Sequence, residues 1–169
     1  PFRTASVTKM FTATVVMRLA EAGLFHLDDK VTVLLPELRG RIPQIDEITI
    51  LHLLNHTSGL GHPTDDDRDY QLGLINNPGY FAGWNARKRL DRFVYGKPLK
   101  HSPGTRTYYS NAGYWLLEWL VEKATGKPFA TNLNNLIIQP LHLENTYIAK
   151  QPNPDVARGY NKPGGLLKD

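Results

Sequence analysis

A single, mostly helical globular domain is the fold that the sequence predicts, and three observations predict it. Residues 7–22 and 112–124 carry apolar side chains at helical spacing, and each run is followed by a glycine, Gly23 or Gly126, placed to cap a helix C-terminus. Little of the chain shows the alternation or the β-branched runs of a strand. The 169 residues are 41% hydrophobic and 21% charged, which suits one core of ordinary size.

The elements follow in order. In residues 7–22, Met10, Phe11, Ala13, Val15, Val16, Met17, Leu19 and Ala20 are apolar, so this helix is expected to be buried on most sides. Residues 24–35 read as a turn containing Asp28-Asp29 and a short apolar stretch ending at Pro36; a connection over 38–45 follows, punctuated by Pro and Gly. A second helix should start at Thr49 as N-cap, carry Ile50, Leu51, Leu53 and Leu54, and end in the turn Thr57-Ser58-Gly59. Residues 61–100 hold Asp65-Asp66-Asp67, Asn76-Asn77 and Pro78-Gly79 without a sustained period. They read as a surface excursion with short helical pieces. After Pro103-Gly104, the helix over 112–124 turns Leu116, Leu117, Leu120 and Val121 inward, and a last helix over 129–138 stops before Pro140.

Composition excludes several functions. With no cysteine there is no disulfide framework, thiolate metal site or thiol nucleophile. The net charge of +4 comes from scattered basic residues rather than a stripe, so no nucleic-acid partner is expected. No apolar run approaches the 18 or so residues of a membrane span, so no integral membrane segment is expected either. The start, Pro1-Phe2-Arg3-Thr4-Ala5, has neither an initiator Met nor the pattern of a signal peptide. It leads us to expect a piece of something longer.

Three groups could carry chemistry. Ser6 and Lys9 lie three apart at the opening of a helix and therefore share a face with Ala13, Val16 and Ala20. A lysine on an apolar face must find a partner or give up its proton, which is what a base for a serine hydroxyl requires. The helix N-terminus would offer backbone N–H groups to a developing oxyanion. An N-cap serine with a lysine snorkelling to water fits the same spacing. Tyr109 and Asn111, two apart in an extended segment before a helix, should point the same way, as a phenol able to share a proton and an amide able to hold an amide or ester substrate. A core tyrosine and a helix-capping asparagine fit there too. Finally, His52, His56, Gly59 and His62 repeat the spacing of the long zinc-protease signature, but Leu53 stands where the general-base Glu is needed. The Asp65-Asp66-Asp67 run lacks the spacing of a calcium loop and reads as a solvated loop.

Four segments together resemble the penicillin-recognising serine hydrolases, in the branch of class C β-lactamases, D-Ala-D-Ala carboxypeptidases and related esterases. Residues 2–13, with Ser6-Val7-Thr8-Lys9, resemble the nucleophile segment, and residues 48–60 the His-Thr-Ser-Gly-Leu turn. Pro103-Gly104 with Tyr109-Ser110-Asn111 and Gly113-Tyr114 resemble the second motif, and residues 140–146, from Pro140 to Thr146, a later landmark. The resemblance implies an α+β fold of β-lactamase/DD-peptidase type. Residues 1–169 would form a partial domain, mostly its helical subdomain, with a nucleophile helix over 6–23, a variable region over 61–100 and the Tyr-Ser-Asn motif at 109–111. It implies Ser6 as acylated nucleophile, Lys9 as its proton partner, Tyr109 as second base or acid and Asn111 as a substrate-binding amide, with no cofactor and no metal, the histidine string being a structural turn.

The implied substrate is a small molecule or peptide bearing an ester or amide: a β-lactam, a D-amino acid peptide or an ester. An exported or periplasmic parent is implied as well. The third motif, a Lys/His-x-Gly strand, is expected to be missing after Asn111, as is much of the antiparallel sheet, so the chain alone is expected to be weakly active or inactive. Thr107 stands where the family favours an aromatic and His142 where it favours Gly. Two other readings predict different behaviour: a non-catalytic homologue serving as a peptide-binding or scaffolding module, and a His-ligated zinc protein.

Overall fold

Residues Thr8–Glu21 form helix α1, entered through a single 3-10 turn at Ala5–Val7 and closed by Gly23 at φ +76°. The structure is a computed structural model that describes residues 1–76, 81, 83–148 and 155–157. Short helices follow: α2 (Val31–Leu34), α3 (Ile50–Leu54), α4 (Pro63–Asp66), α5 (Arg68–Asn76) and α6 (Ala86–Phe93). They lead to the long α7 (Asn111–Thr125) and to α8 (Phe129–Leu133), which runs on as a π-helical stretch over Asn134–Ile138. Among the described residues there is no strand, only an isolated antiparallel bridge between Lys30 and Thr49.

Local chemistry sets the helix ends. Thr49 caps α3 by accepting from the His52 N–H at 3.1 Å, while the His52 ring accepts from the Thr49 N–H at 3.3 Å; this is a capping box with histidine in the place usually held by Glu or Gln. Ser110 caps α7 by accepting from the Gly113 N–H at 3.3 Å, and Gly126, at φ +67°, ends it.

Helix α7 is the centre of the core. Ala112, Leu116, Leu117, Leu120 and Val121 are fully buried, with Trp115 and Trp119 beside them, and α1, α3, α6 and α8 pack around it. The inward residues expected for this helix are therefore inward. Helix α1 departs from expectation: Thr12, Val15, Val16 and Leu19 are buried, but Val7, Met10 and Met17 lie exposed on its other side. Among the described residues, its neighbours α7, α8 and the π-helical stretch take up one face only.

The segment over 61–100 is more regular than its sequence suggests. Ala86, Leu90 and Phe93, spaced four and three apart, form the buried stripe of α6 against α7. That short period was obscured by the charged residues between them. The turn signals at Asn77, Pro78 and Gly79 lie outside the described residues.

His142 sits at φ +51°, in the left-handed region that costs a side chain about 1–2 kcal/mol and costs glycine nothing. The glycine that the family resemblance leads one to expect here would adopt this conformation without that cost. We expect His142→Gly to raise unfolding stability by about 0.5–1 kcal/mol, the strain relieved exceeding the extra chain entropy of glycine. Leu116→Ala, by contrast, should remove about 2–5 kcal/mol by opening a cavity at the centre of the core. Urea titrations followed by circular dichroism check both.

Candidate active site

Ser6 lies inside the 3-10 turn that opens α1, and its hydroxyl caps nothing, since the N-cap of α1 is Val7 and no side chain bonds there. The preceding Ala5 stands at φ +45°, a left-handed conformation uncommon for a residue with a Cβ. Spare helix N–H groups are expected around Ser6 from its place at a helix opening. In the structure the N–H groups of Val7 and Thr8 are bound to the carbonyls of Thr4 and Ala5, so these two are not available.

Lys9 does not snorkel. Its Nζ donates to Asn111 Oδ1 at 2.6 Å and to Ser6 Oγ at 3.5 Å, and lies 4.8 Å from the centre of the Tyr109 ring and 5.5 Å from that of Tyr114. Tyr109 OH donates to Ser6 Oγ at 2.9 Å across 103 residues of sequence. The four residues singled out from sequence thus meet at one place. Tyr109 is not a core residue, being 41% exposed.

The Tyr109-Ser110-Asn111 segment is held by the turn over 56–62. Tyr108, Gly104 and Lys100 donate backbone N–H groups to the carbonyls of His56, Thr57 and Gly59 at 2.8, 2.8 and 2.7 Å. Ser110 Oγ donates to the Gly61 carbonyl at 2.7 Å. The N–H groups of Ser110 and Asn111 point at the rings of His56 and His62, whose Nδ1 atoms accept at 3.2 and 3.3 Å. Gly59, at φ +78°, runs so close to this segment that a Cβ would stand 2.1 Å from the His101 carbonyl. No other residue fits there.

Asn111 is occupied on both ends of its amide, since Oδ1 accepts from Lys9 while Nδ2 donates to Thr64 Oγ1 at 3.0 Å. Thr64 was not singled out from sequence, and no short motif marks it. The Asp65-Asp66-Asp67 run is not a solvated loop throughout. Asp66 accepts from Lys100 Nζ, Tyr108 OH and the His62 N–H at 2.8, 3.0 and 2.6 Å, and Asp67 pairs with Lys97 and accepts from the Tyr70 N–H. The side-chain partners lie between 30 and 42 positions away, beyond the reach of a local reading.

Burial raises the Tyr109 phenol, but its interactions with Lys9 and Ser6 and the positive charge of Lys9 outweigh that and hold it below its ordinary value. Burial, with the nearby Lys9 charge, pushes the imidazoles of His56 and His62 down, against the opposing pull of Asp65 and Asp66 on His62. His52, His56 and His62 each spend Nδ1 on a backbone N–H. Among the described residues no group of three His, Asp or Glu side chains could hold a metal ion. The three rings here serve the backbone donors of Thr49, Ser110 and Asn111.

One string after Asn111 does have the Lys-x-Gly form, Lys162-Pro163-Gly164, contrary to the expectation that none occurs. It lies outside the described residues, and its central proline cannot donate to a strand ladder. Among the described residues no helix is long and apolar enough to cross a membrane.

A family profile described as Beta-lactamase matches residues 1–166. Esterase EstB of Burkholderia gladioli is 37% identical over 156 residues, covering 89% of this chain and 39% of the esterase. The D-alanyl-D-alanine-carboxypeptidase/endopeptidase AmpH of Escherichia coli K12 is 29% identical over 158 residues, covering 92% and 38%. The crystal structure of a D-stereospecific amidohydrolase from Streptomyces sp. superimposes with a TM-score of 0.76 at 34% identity, over 85% of this chain and 43% of that one. The chain spans about two fifths of the length of the curated relatives it matches.

The lowered imidazoles make stability depend on pH. Below about 6.5, the ordinary histidine value, the unfolded chain takes up protons that the buried neutral rings of the folded chain resist. Stability is therefore expected to be full above that pH and to fall as the pH drops through it toward the folded values. Urea titrations at pH 7.5 and 5.5 check this, and a His56→Asn/His62→Asn double variant should show a smaller difference between the two.

Proposed function

The chain belongs to the beta-lactamase family and has the β-lactamase/DD-peptidase fold, and from that premise we propose that Ser6 is the nucleophile of a serine hydrolase acting on an ester or amide through an acyl-enzyme. The observation that carries the reading is the convergence of Tyr109 OH and Lys9 Nζ on Ser6 Oγ, at 2.9 and 3.5 Å, the first from 103 residues away and the second from the next turn of α1. A tyrosine and an ammonium have no packing reason to meet on a partly open serine hydroxyl. A shared proton gives them a chemical one.

In the reactive form the Tyr109–Lys9 pair has given up to solvent one of the protons with which both groups donate to Ser6; Ser6 Oγ then attacks the carbonyl carbon and its proton passes to the vacated site on that pair. The shorter contact and the lowered phenol favour Tyr109 as the group that exchanges directly with Oγ, while Lys9 stabilises the phenolate. The leaving oxygen or nitrogen takes that proton as its bond to the acyl carbon breaks. Water then attacks the acyl-serine, gives its proton to the same pair and releases the acid, and the proton returns to Ser6. Asn111 holds Lys9 through Oδ1 and keeps one Nδ2 hydrogen for a substrate carbonyl, the other being spent on Thr64. Similar proteins named esterase, D-alanyl-D-alanine-carboxypeptidase and D-stereospecific amidohydrolase belong to this reaction class.

Intact-mass spectrometry after incubation with a fluorophosphonate tests the reading, on this chain and on any longer polypeptide that contains it. We expect a Ser6 adduct that disappears in Ser6→Ala and forms about 10²–10⁴-fold more slowly in Tyr109→Phe and Lys9→Ala. Equal labelling of Ser6→Ala, or of Lys9→Ala, would remove those residues from their roles. No adduct on either polypeptide would favour a non-catalytic binding module.

A further inference from the structure

We propose that His56 and His62 are positioning residues for the Ser6 site: their Nδ1 atoms seat the backbone N–H groups of Ser110 and Asn111 and thereby aim Tyr109 and Asn111 at Ser6 and Lys9. The inference rests on the hydrolase reading of that site and adds two residues to it.

The N–H groups of Ser110 and Asn111 lie at the start of α7, where an α-helix has no internal acceptor to offer. Two consecutive orphan donors are taken up by two imidazoles from one turn, at 3.2 and 3.3 Å. A backbone N–H only donates, so each Nδ1 presents its lone pair and the ring proton sits on Nε2. The same rings grip the phenol between the two bonds. The His56 ring lies 4.5 Å from the Tyr109 ring at 35°, and the His62 ring meets it edge-on at 5.2 Å and 86°. Both backbone direction and ring orientation of Tyr109 are thus set by one pair of side chains.

Burial and the Lys9 charge favour the neutral rings this requires, against the carboxylates beside His62. His56 faces Lys9 from α1, Tyr109 and Tyr114, and His62. His62 faces Lys9, Tyr109 and the carboxylates of Asp65 and Asp66 from α4. Protonation of either Nδ1 would set a ring N–H against a backbone N–H and release the segment. His56 also holds φ +62°, a conformation that asparagine and glycine both accept.

That pair of substitutions separates geometry from hydrogen bonding. His56→Asn keeps an acceptor near the Nδ1 position, and His56→Gly keeps only the backbone; His62→Asn and His62→Leu form the matching pair. Amide hydrogen exchange on the 169-residue chain should speed up by about tenfold or more at Ser110 in His56→Gly and at Asn111 in His62→Leu, with the asparagine variants protected like the parent. Fluorophosphonate labelling of Ser6 should fall on the order of 10²-fold in the Gly and Leu variants and recover in the asparagine ones.

Unchanged exchange at Ser110 and Asn111, or full labelling once they are exposed, would overturn the proposal. If the parent chain is not labelled at all, the hydrolase reading fails, while the exchange rates still decide whether the histidines seat the segment. If His56→Gly does not fold, ring nitrogen shifts of the parent decide: protons on Nε2 with Nδ1 accepting are expected, and protonated Nδ1 atoms would refute it.

Discussion

The constraint on which the site depends is the pairing of the turn over 56–62 with the segment over 100–111. Three backbone bonds, the Ser110 hydroxyl and two imidazole acceptors join these stretches. Gly59 lets them approach to a distance at which no Cβ fits. Because α7 begins inside this pairing, the most buried helix of the molecule starts from a fixed point, and Tyr109 and Asn111 leave it in fixed directions. Each bond is worth only about 1 kcal/mol net. Their joint effect is geometric, since slipping the segment by one residue would turn Tyr109 away from Ser6.

The second link joins α1 to α7. Lys9 donates to Asn111 at 2.6 Å from a half-buried position, and Asn111 is held in turn by Thr64 of α4. A lysine set against an apolar helix face would be costly alone; here an amide oxygen and two aromatic rings receive its charge. The same charge lowers the phenol of Tyr109 and disfavours protonation of the two histidines. Burial is the larger cause for the histidines, and the one cation adds to it there while it lowers the phenol, so the site is electrostatically a unit.

Helix positions were legible in the sequence wherever they followed from local chemistry. Thr49 as cap, Gly23 and Gly126 as stops and the inward side of α7 all rest on interactions within a few residues. The missed features are those whose partners are distant or masked by charge. The stripe of α6 is only three residues, set among four arginine and lysine side chains. Asp66 looked like loop because Lys100 and Tyr108 lie more than 30 positions on. The histidine string looked like a metal motif because spacing reports which residues share a neighbourhood and not which ring atom faces what.

What the sequence by itself determined is the set of residue types and the local turns: a serine and a lysine one helical turn apart, a tyrosine and an asparagine two apart at the entrance to a helix, and the glycines that allow the tight places. Those follow from dihedral preferences and side-chain periods, which act over a few residues. Only the tertiary structure decided that Tyr109 reaches Ser6, that Lys9 turns to Asn111 rather than to water, and that two histidines serve the backbone of α7. Those outcomes depend on contacts between residues 49 to 103 positions apart, which become fixed only when the core around α7 closes.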